Sequence, residues 1–305
     1  EGFSFEYKSF KKYLTENAYI TLDEYLELEQ YCIDHCIDFV PNQNGFGHMG
    51  EWLALDEFND LAEKPEGFTV WESFRKPTTL AANDPRSGEL VTKMYADMLP
   101  HTKSKYFHMN FDEPFEIGLG KTKEEVLQSS VEDVYKGFVR KVYPVIESYG
   151  KQALMWGDVL VRKNASLDNL PESIIYVDWG YDGPYKFEKG SKMLHDAKVP
   201  FMNAPGTCTW CSWLGRLYDW IDNIGSAVRN AIKYGGEGVL LTDWGDFGHI
   251  QQLVVSLPPL VYSAMLCYRN ESGVLKNVRE FLNKFVFNDR QNLFADVVMD
   301  AGSFY

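Results

Sequence analysis

Short apolar runs rich in Val, Ile, Phe and Tyr recur along the chain, separated by stretches of helical periodicity, and this alternation restricts the fold more than any other feature. The runs are IDFVPN (37–42), YFHMNF (106–111), ALMW (153–156), IIYVDW (174–179), VPFMNA (199–204) and GVLLTDW (238–244). Each has the length and composition of a buried strand. Between them, TLDEYLELEQYCIDHC (21–36) opens on Thr21 with Glu24 at the capping-box position. A second helical pattern spans 122–150, from Thr122, with Glu125 at the box position, to Gly150 as a stop. Strand–helix alternation specifies the α/β class, a parallel sheet with helices packed against it. A doubly wound sheet would call for a glycine-rich phosphate turn, and no G-x-G-x-x-G follows a strand here. The expectation is therefore a (β/α)8 TIM barrel over 1–268, its first two strands lying before residue 1, with 269–305 beginning a C-terminal helical region.

With 305 residues and 45% apolar content, one barrel-sized core plus an appendage is affordable. The formal net charge of −14 repels phosphate backbones and anionic lipid, which argues against nucleic acid and membrane partners. The most apolar late stretch, 253–266, is interrupted by Pro258 and Pro259 and falls short of a membrane span. The first residues carry no signal-peptide pattern, and the reading favours the cytoplasm without fixing a compartment. Five cysteines, an odd number, do not make a disulfide framework. Cys208 and Cys211 form one C-x-x-C that Cys32 and Cys36 could complete into a zinc site, but reduced, structural cysteines are the plainer reading. No cofactor is expected.

In a barrel the chemistry sits at the carboxyl ends of the strands. Those ends carry NGFGHMGEW (44–52), DEPF (112–115), and three Trp-Gly pairs with an acid close behind: Trp156 with Asp158, Trp179 with Asp182, and Trp244 with Asp246. A single Trp at a strand end caps a core; three converging on one mouth make an apolar box with N–H donors at its edges. With acids to accept hydroxyl hydrogen bonds, such a box suits a sugar, which has an apolar C–H face and a polar rim. Asp112 and Glu113 pose a separate problem. Neighbours on an extended strand point to opposite sides, so the pair cannot face each other across a glycosidic bond as two carboxylates from separate elements do. One division of labour makes Glu113 a general acid, its pKa raised by the neighbouring charge, and leaves Asp112 ionised to orient another group. The plainer alternative is a solvated acidic pair at a loop start.

These motifs together resemble glycoside hydrolase family 20, the β-N-acetylhexosaminidases, and are nearest the subgroup of hexosaminidase D and the streptococcal N-acetyl-β-glucosaminidases. The family's His-Ile-Gly-Gly-Asp-Glu strand end is matched by HMNFDE (108–113), its upstream motif by Phe46-Gly47-His48, and its later Trp-x-acid by DWGD around Trp244. The resemblance implies retaining, substrate-assisted hydrolysis of terminal β-linked N-acetylhexosamines through an oxazolinium intermediate. Glu113 would be acid and base, Asp112 would hold the acetamido N–H, and His48 would set the state of the acid. Trp156, Trp179 and Trp244 would wall the sugar, Asp246 would bind its O4 and O6 hydroxyls, and Tyr181 or Trp210 would hold the acetamido oxygen; His108 joins the substrate-binding set. Tyr262, Trp213 and Arg216 are candidates for the leaving-group side.

Two departures stand out: Asn110-Phe111 replaces Gly-Gly, narrowing the site if Phe111 points inward, and the usual Tyr-x-Asp is missing after 199–204. They motivate a second reading, a catalytically impaired sugar-binding protein. A metal hydrolase built on His48, His108 and Asp243 lacks H-x-H or H-E-x-x-H spacing.

Overall fold

The structure, a computed structural model, describes residues 2–16, 18–183, 185–269 and 273–304. The chain divides into two compact units, Glu1–Ile175 and Tyr176–Tyr305.

In the first unit, α1 (Leu22–Asp34) carries the complete capping box expected from the sequence, Thr21 and Glu24 bonding each other's backbone N–H. A hairpin, β1 (Phe68–Val70) and β2 (Ser73–Arg75), pairs antiparallel and was not signalled by the sequence. It is followed by α2 (Pro85–Met98), whose N-cap Asp84 accepts from the Arg86 N–H. The strand β3 (Tyr106–His108) pairs in parallel with β4 (Gln152–Trp156), in the register Phe107 to Ala153. The helical stretch expected over 122–150 is two helices, α3 (Lys123–Gln128) and α4 (Val131–Ser148). The break has a local cause. Ser130 caps α4 by accepting from the Asp133 N–H, while the Thr122 hydroxyl is engaged by Glu63 and the Gly118 N–H rather than capping α3.

The expected strand 37–42 is not a strand. Pro41 has no N–H to give, and the segment meets β3 only through a bridge at Asn42, where the His108 N–H donates to the Pro41 carbonyl and the Gln43 N–H to the His108 carbonyl. β3 also ends earlier than expected, because Asn110 and Phe111 adopt left-handed backbone (φ 60° and 68°).

β5 (Ile175–Trp179) begins at the boundary, and its residues from Tyr176 on pair in parallel with β6 (Phe201–Ala204), itself paired with a two-residue β7 (Gly238–Val239). The rest of the run expected to reach residue 244 is irregular and bridges Thr242 to Gly206. Helices α5 (Phe187–Asp196) and α6 (Leu217–Tyr234) alternate with these strands, the latter stopped by Gly235 in left-handed conformation. Then come α7 (Leu253–Arg269), α8 (Val274–Phe281) and α9 (Phe294–Ala301). Pro258 and Pro259 do not interrupt α7. They fall in its second turn, where little of the hydrogen-bond ladder precedes them, and both are buried with Val255, Tyr262 and Leu266. Among the described residues no helix is long and apolar enough to cross a membrane.

The chain is thus α/β, as expected. Five parallel strands are present among the described residues, rather than the six read from the sequence or the eight of a closed barrel.

Candidate active site

The centre of the first unit's chemistry is the loop that leaves β3. His48 Nε2 lies 3.3 Å from Asp112 Oδ2 and 3.4 Å from Glu113 Oε2, so one imidazole faces both carboxylates. An extended backbone could not achieve this. The loop is not extended: Phe111 (φ 68°) and Glu113 (φ 50°) are left-handed, and so is His48 itself (φ 56°). For residues with a Cβ this conformation is strained, and such strain persists only where the surroundings hold it. The restraints are identifiable. The Tyr135 hydroxyl donates to the Phe111 carbonyl (3.0 Å), the Tyr95 hydroxyl bonds the Met109 carbonyl (3.0 Å), and the Glu113 N–H donates to Asp158 Oδ2 (3.1 Å).

Glycine at 47 has a steric reason. A Cβ there would stand 2.1 Å from the Asp112 carbonyl oxygen and 3.0 Å from the Glu113 carbonyl carbon, so the backbone of the acid pair rests directly on Gly47. Phe111, in place of the family's glycine, packs away from the acids. It is fully buried against Phe46, Tyr135 and Phe138, with ring centroids 5.5–6.1 Å apart, and does not narrow the site.

Next to the acids in sequence, Asn110 anchors a polar network. The Asn110 amide donates to the side-chain oxygens of Asn42 (3.3 Å) and Asn44 (3.2 Å), and its oxygen accepts from the Trp156 indole N–H (3.2 Å). That fixes Trp156, whose ring also lies 4.6 Å from the His108 ring. His108 accepts the Asn110 N–H at Nδ1 (3.1 Å), which leaves the proton on Nε2 when the ring is neutral. Burial pushes its pKa down to about 4, against an opposing pull from Asp112. Two buried atoms here have no hydrogen-bond partner among the described residues, His108 Nε2 and Asp112 Oδ1.

The second unit holds the other expected site residues. Trp179 and Tyr181 stack at 5.2 Å, and Tyr181 meets Trp210 edge-on at 5.1 Å and Trp244 at 6.4 Å. Gly206 makes room for this cluster, since a Cβ would press on Trp210 and Tyr181. Tyr181 and Trp210, the two candidates for the acetamido oxygen, are therefore neighbours. Asp246 stands exposed at the start of a short turn, Asp246–Gly248.

Other assignments are corrected. Tyr262, a candidate for the leaving-group side, is buried in the helical core against Trp220, 5.3 Å between rings. Asp243 accepts from the hydroxyls of Thr207 (2.6 Å), Thr209 (2.9 Å) and Ser256 (3.2 Å), which makes it a brace for its loop. No group of three or more His, Cys, Asp or Glu among the described residues could hold a metal. Cys208 is buried, its thiol pushed up to about 12, as suits an inert core group. Asp158, read from the sequence as an acceptor for sugar hydroxyls, accepts the Glu113 backbone N–H at Oδ2, and Glu116, which no sequence pattern singles out, accepts the N–H groups of Thr78 and Thr79.

Comparisons with known proteins bear on the family and the fold. The pattern described as glycosyl hydrolase family 20, catalytic domain, matches residues 5–199. Hexosaminidase D of Bos taurus is 24% identical over 259 residues, 76% of this chain and 70% of that protein. Lacto-N-biosidase of Bifidobacterium bifidum is 25% identical over 205 residues, 63% of this chain but only 17% of that much longer protein. Among solved structures, the GH20 exo-β-N-acetylglucosaminidase of Vibrio harveyi superposes with a TM-score of 0.70 at 13% identity, over 98% of this chain and 52% of that one. The β-N-acetylhexosaminidase of Bacteroides fragilis gives 0.68 at 15% identity, over 95% and 62%. The chain thus spans about half the length of the solved structures that share its fold. With the family pattern covering well over half of its residues, the chain belongs to glycosyl hydrolase family 20.

Proposed function

We propose that this chain carries the catalytic acids of a retaining exo-β-N-acetylhexosaminidase acting on glycans or glycoconjugates that end in β-linked GlcNAc or GalNAc. The observation that carries the reading is the pair of adjacent carboxylates turned by left-handed backbone onto one imidazole. Two acids from one loop do not bracket a glycosidic bond as carboxylates from separate elements do, and the substrate's own acetamido oxygen can supply the nucleophile. Asp112 accepts the acetamido N–H, a role suited to its buried Oδ1. As the amide carbonyl oxygen closes on the anomeric carbon, Glu113 gives its proton to the departing glycosidic oxygen, and the C–O bond breaks to leave an oxazolinium. Glu113, now a carboxylate, then takes a proton from the water that reopens the ring, restoring the acid and retaining configuration. His48 lies between the two carboxylates and orients them. The aromatic cluster of Trp179, Tyr181, Trp210 and Trp244 supports sugar binding, with Asp246 for the O4 and O6 hydroxyls. The names of the bovine hexosaminidase and the Vibrio exo-β-N-acetylglucosaminidase support the substrate class. We assign 1–268 to the catalytic α/β region, whose five parallel strands among the described residues are fewer than the eight of a closed barrel, and 269–305 to a helical region.

The test is hydrolysis of p-nitrophenyl N-acetyl-β-glucosaminide by the full-length protein. Glu113→Gln is expected to lower kcat by at least about 10²-fold, the usual contribution of a positioned acid, and Asp112→Asn to impair it as well. Variants as active as wild type would remove the proposal. Tight sugar binding without turnover by the wild type would favour the sugar-binding alternative.

A further inference from the structure

The hairpin β1–β2 has a tip that its sequence does not explain. Its two-residue turn is Trp71-Glu72, both left-handed (φ 47° and 62°), where Asn-Gly ordinarily stands because it adopts that geometry without strain. The strained turn presents Trp71 66% exposed and Phe74 70% exposed. Trp71 is nevertheless held in place. The Arg75 guanidinium lies 5.0 Å from its ring centre, and Phe115 meets it edge-on at 5.3 Å.

Phe115 connects this tip to the chemistry. It lies two residues beyond Glu113, to whose carbonyl its N–H donates (2.7 Å), and its ring also faces Phe68 of β1. The base of the hairpin is tied to the same place. Glu116 accepts the N–H groups of Thr78 (2.6 Å) and Thr79 (3.0 Å), and the N–H of Met49, next to His48, donates to the Thr78 carbonyl (2.8 Å). The hairpin therefore rises from the rim of the loops bearing His48 and Glu113.

Resting on the proposed function, we infer that Trp71, backed by Phe115 and Arg75, is the platform for the leaving-group sugar. The general acid protonates the glycosidic oxygen, so the departing group lies on Glu113's side of the bond. A pyranose there offers its apolar C–H face to an exposed indole, and the guanidinium can donate to its hydroxyls. The occupant is a sugar ring rather than a small alkyl group, which could not cover an indole.

The experiment compares two substrates of the full-length protein, a β-1,4-linked N-acetylglucosamine disaccharide and methyl N-acetyl-β-glucosaminide. Trp71→Ala is expected to lower kcat/KM for the disaccharide about tenfold, equivalent to ~1.4 kcal/mol of lost stacking, and to leave the methyl glycoside within about twofold. Trp71→Phe should recover part of the loss. Equal losses on both substrates, or none on the disaccharide, would overturn the platform while leaving the proposed function intact. A wild type that cleaves neither glycoside refutes both. A Trp71-dependent dimer in sedimentation would instead give the indole to a second copy of the chain and also overturn the inference.

Discussion

Replacing Gly47 by alanine is the sharpest probe of how the acid pair is held. The added Cβ would lie 2.1 Å from the Asp112 carbonyl oxygen and 3.0 Å and 3.1 Å from the Glu113 carbonyl carbon and oxygen. Even the closest favourable C···O approaches are about 3.3 Å, so the contact is relieved only by roughly 1 Å of movement between two main chains. No flexible side chain can absorb it, because both partners are backbone and the neighbouring Phe46 and Phe111 are fully buried. A shift of that size would break the present distances of 3.3 and 3.4 Å from His48 to the two carboxylates. Misplacing a reacting group by about 1 Å costs on the order of 10²-fold in rate. Gly47→Ala is therefore expected to lower kcat on an aryl N-acetylglucosaminide about a hundredfold while the protein still melts cooperatively. A variant with kcat within about threefold of wild type and an unchanged melting temperature would refute the account, since it would show that the contact with Gly47 does not position the acids.

Further consequences concern the surroundings of the acids. Asp158→Ala deprives the left-handed Glu113 N–H of its acceptor and should lower kcat about tenfold with KM little changed, whereas Asp158→Asn, whose amide oxygen can still accept, should recover most of it; equal loss in both variants would contradict a positioning role. Phe111→Gly restores the family's residue and relieves roughly 1–2 kcal/mol of left-handed strain, yet it empties a site among three aromatic rings where Phe→Ala typically costs about 3–5 kcal/mol. A net destabilisation of about 2 kcal/mol in denaturant unfolding is expected, and a stabilised variant would contradict the packing described. His108 titrates near 6.5 when unfolded and about 4 when folded, so its neutral ring contributes fully above pH 6.5, and that contribution is lost as the pH falls towards 4. The ceiling is about 3 kcal/mol; His108→Gln should flatten the unfolding free energy across that window, and an unaltered pH dependence would dismiss the buried neutral histidine.

The parts of the fold that could be read directly were those in which local chemistry and tertiary context agree. The box at Thr21 and Glu24 formed as written, and β4 and β5 fell within one residue of the segments expected, because apolar strands between amphipathic helices have little else to become, whereas β3 stopped three residues short where Asn110 and Phe111 turn left-handed. The 37–42 segment failed because its apolar letters hide Pro41, and the 238–244 run because its ladder gives way to side-chain bracing around Asp243. The acids themselves were visible as a pair, but their joint approach to His48 was not, since no residue-level rule makes Phe111 and Glu113 left-handed; contacts from distant parts of the chain, among them the hydroxyls of Tyr135 and Tyr95, the carboxylate of Asp158 and the backbone of Gly47, hold that loop. The hairpin was missed for a related reason. Its turn lacks glycine and asparagine, the residues by which such turns are recognised.

Two buried carboxylates give the first unit a property that neither would confer singly. Glu63, ahead of the hairpin, accepts from the N–H of Gly120 and from both the N–H and hydroxyl of Thr122, beyond the acids. Glu116, beyond the acids, grips Thr78 and Thr79, behind the hairpin. These cross-ties fasten both ends of the stretch 64–77 to the segment that follows the acids, so the tip of the hairpin is anchored independently of its own sequence. Exchanging residues between 64 and 77 would therefore vary the surface at the tip without removing either anchor.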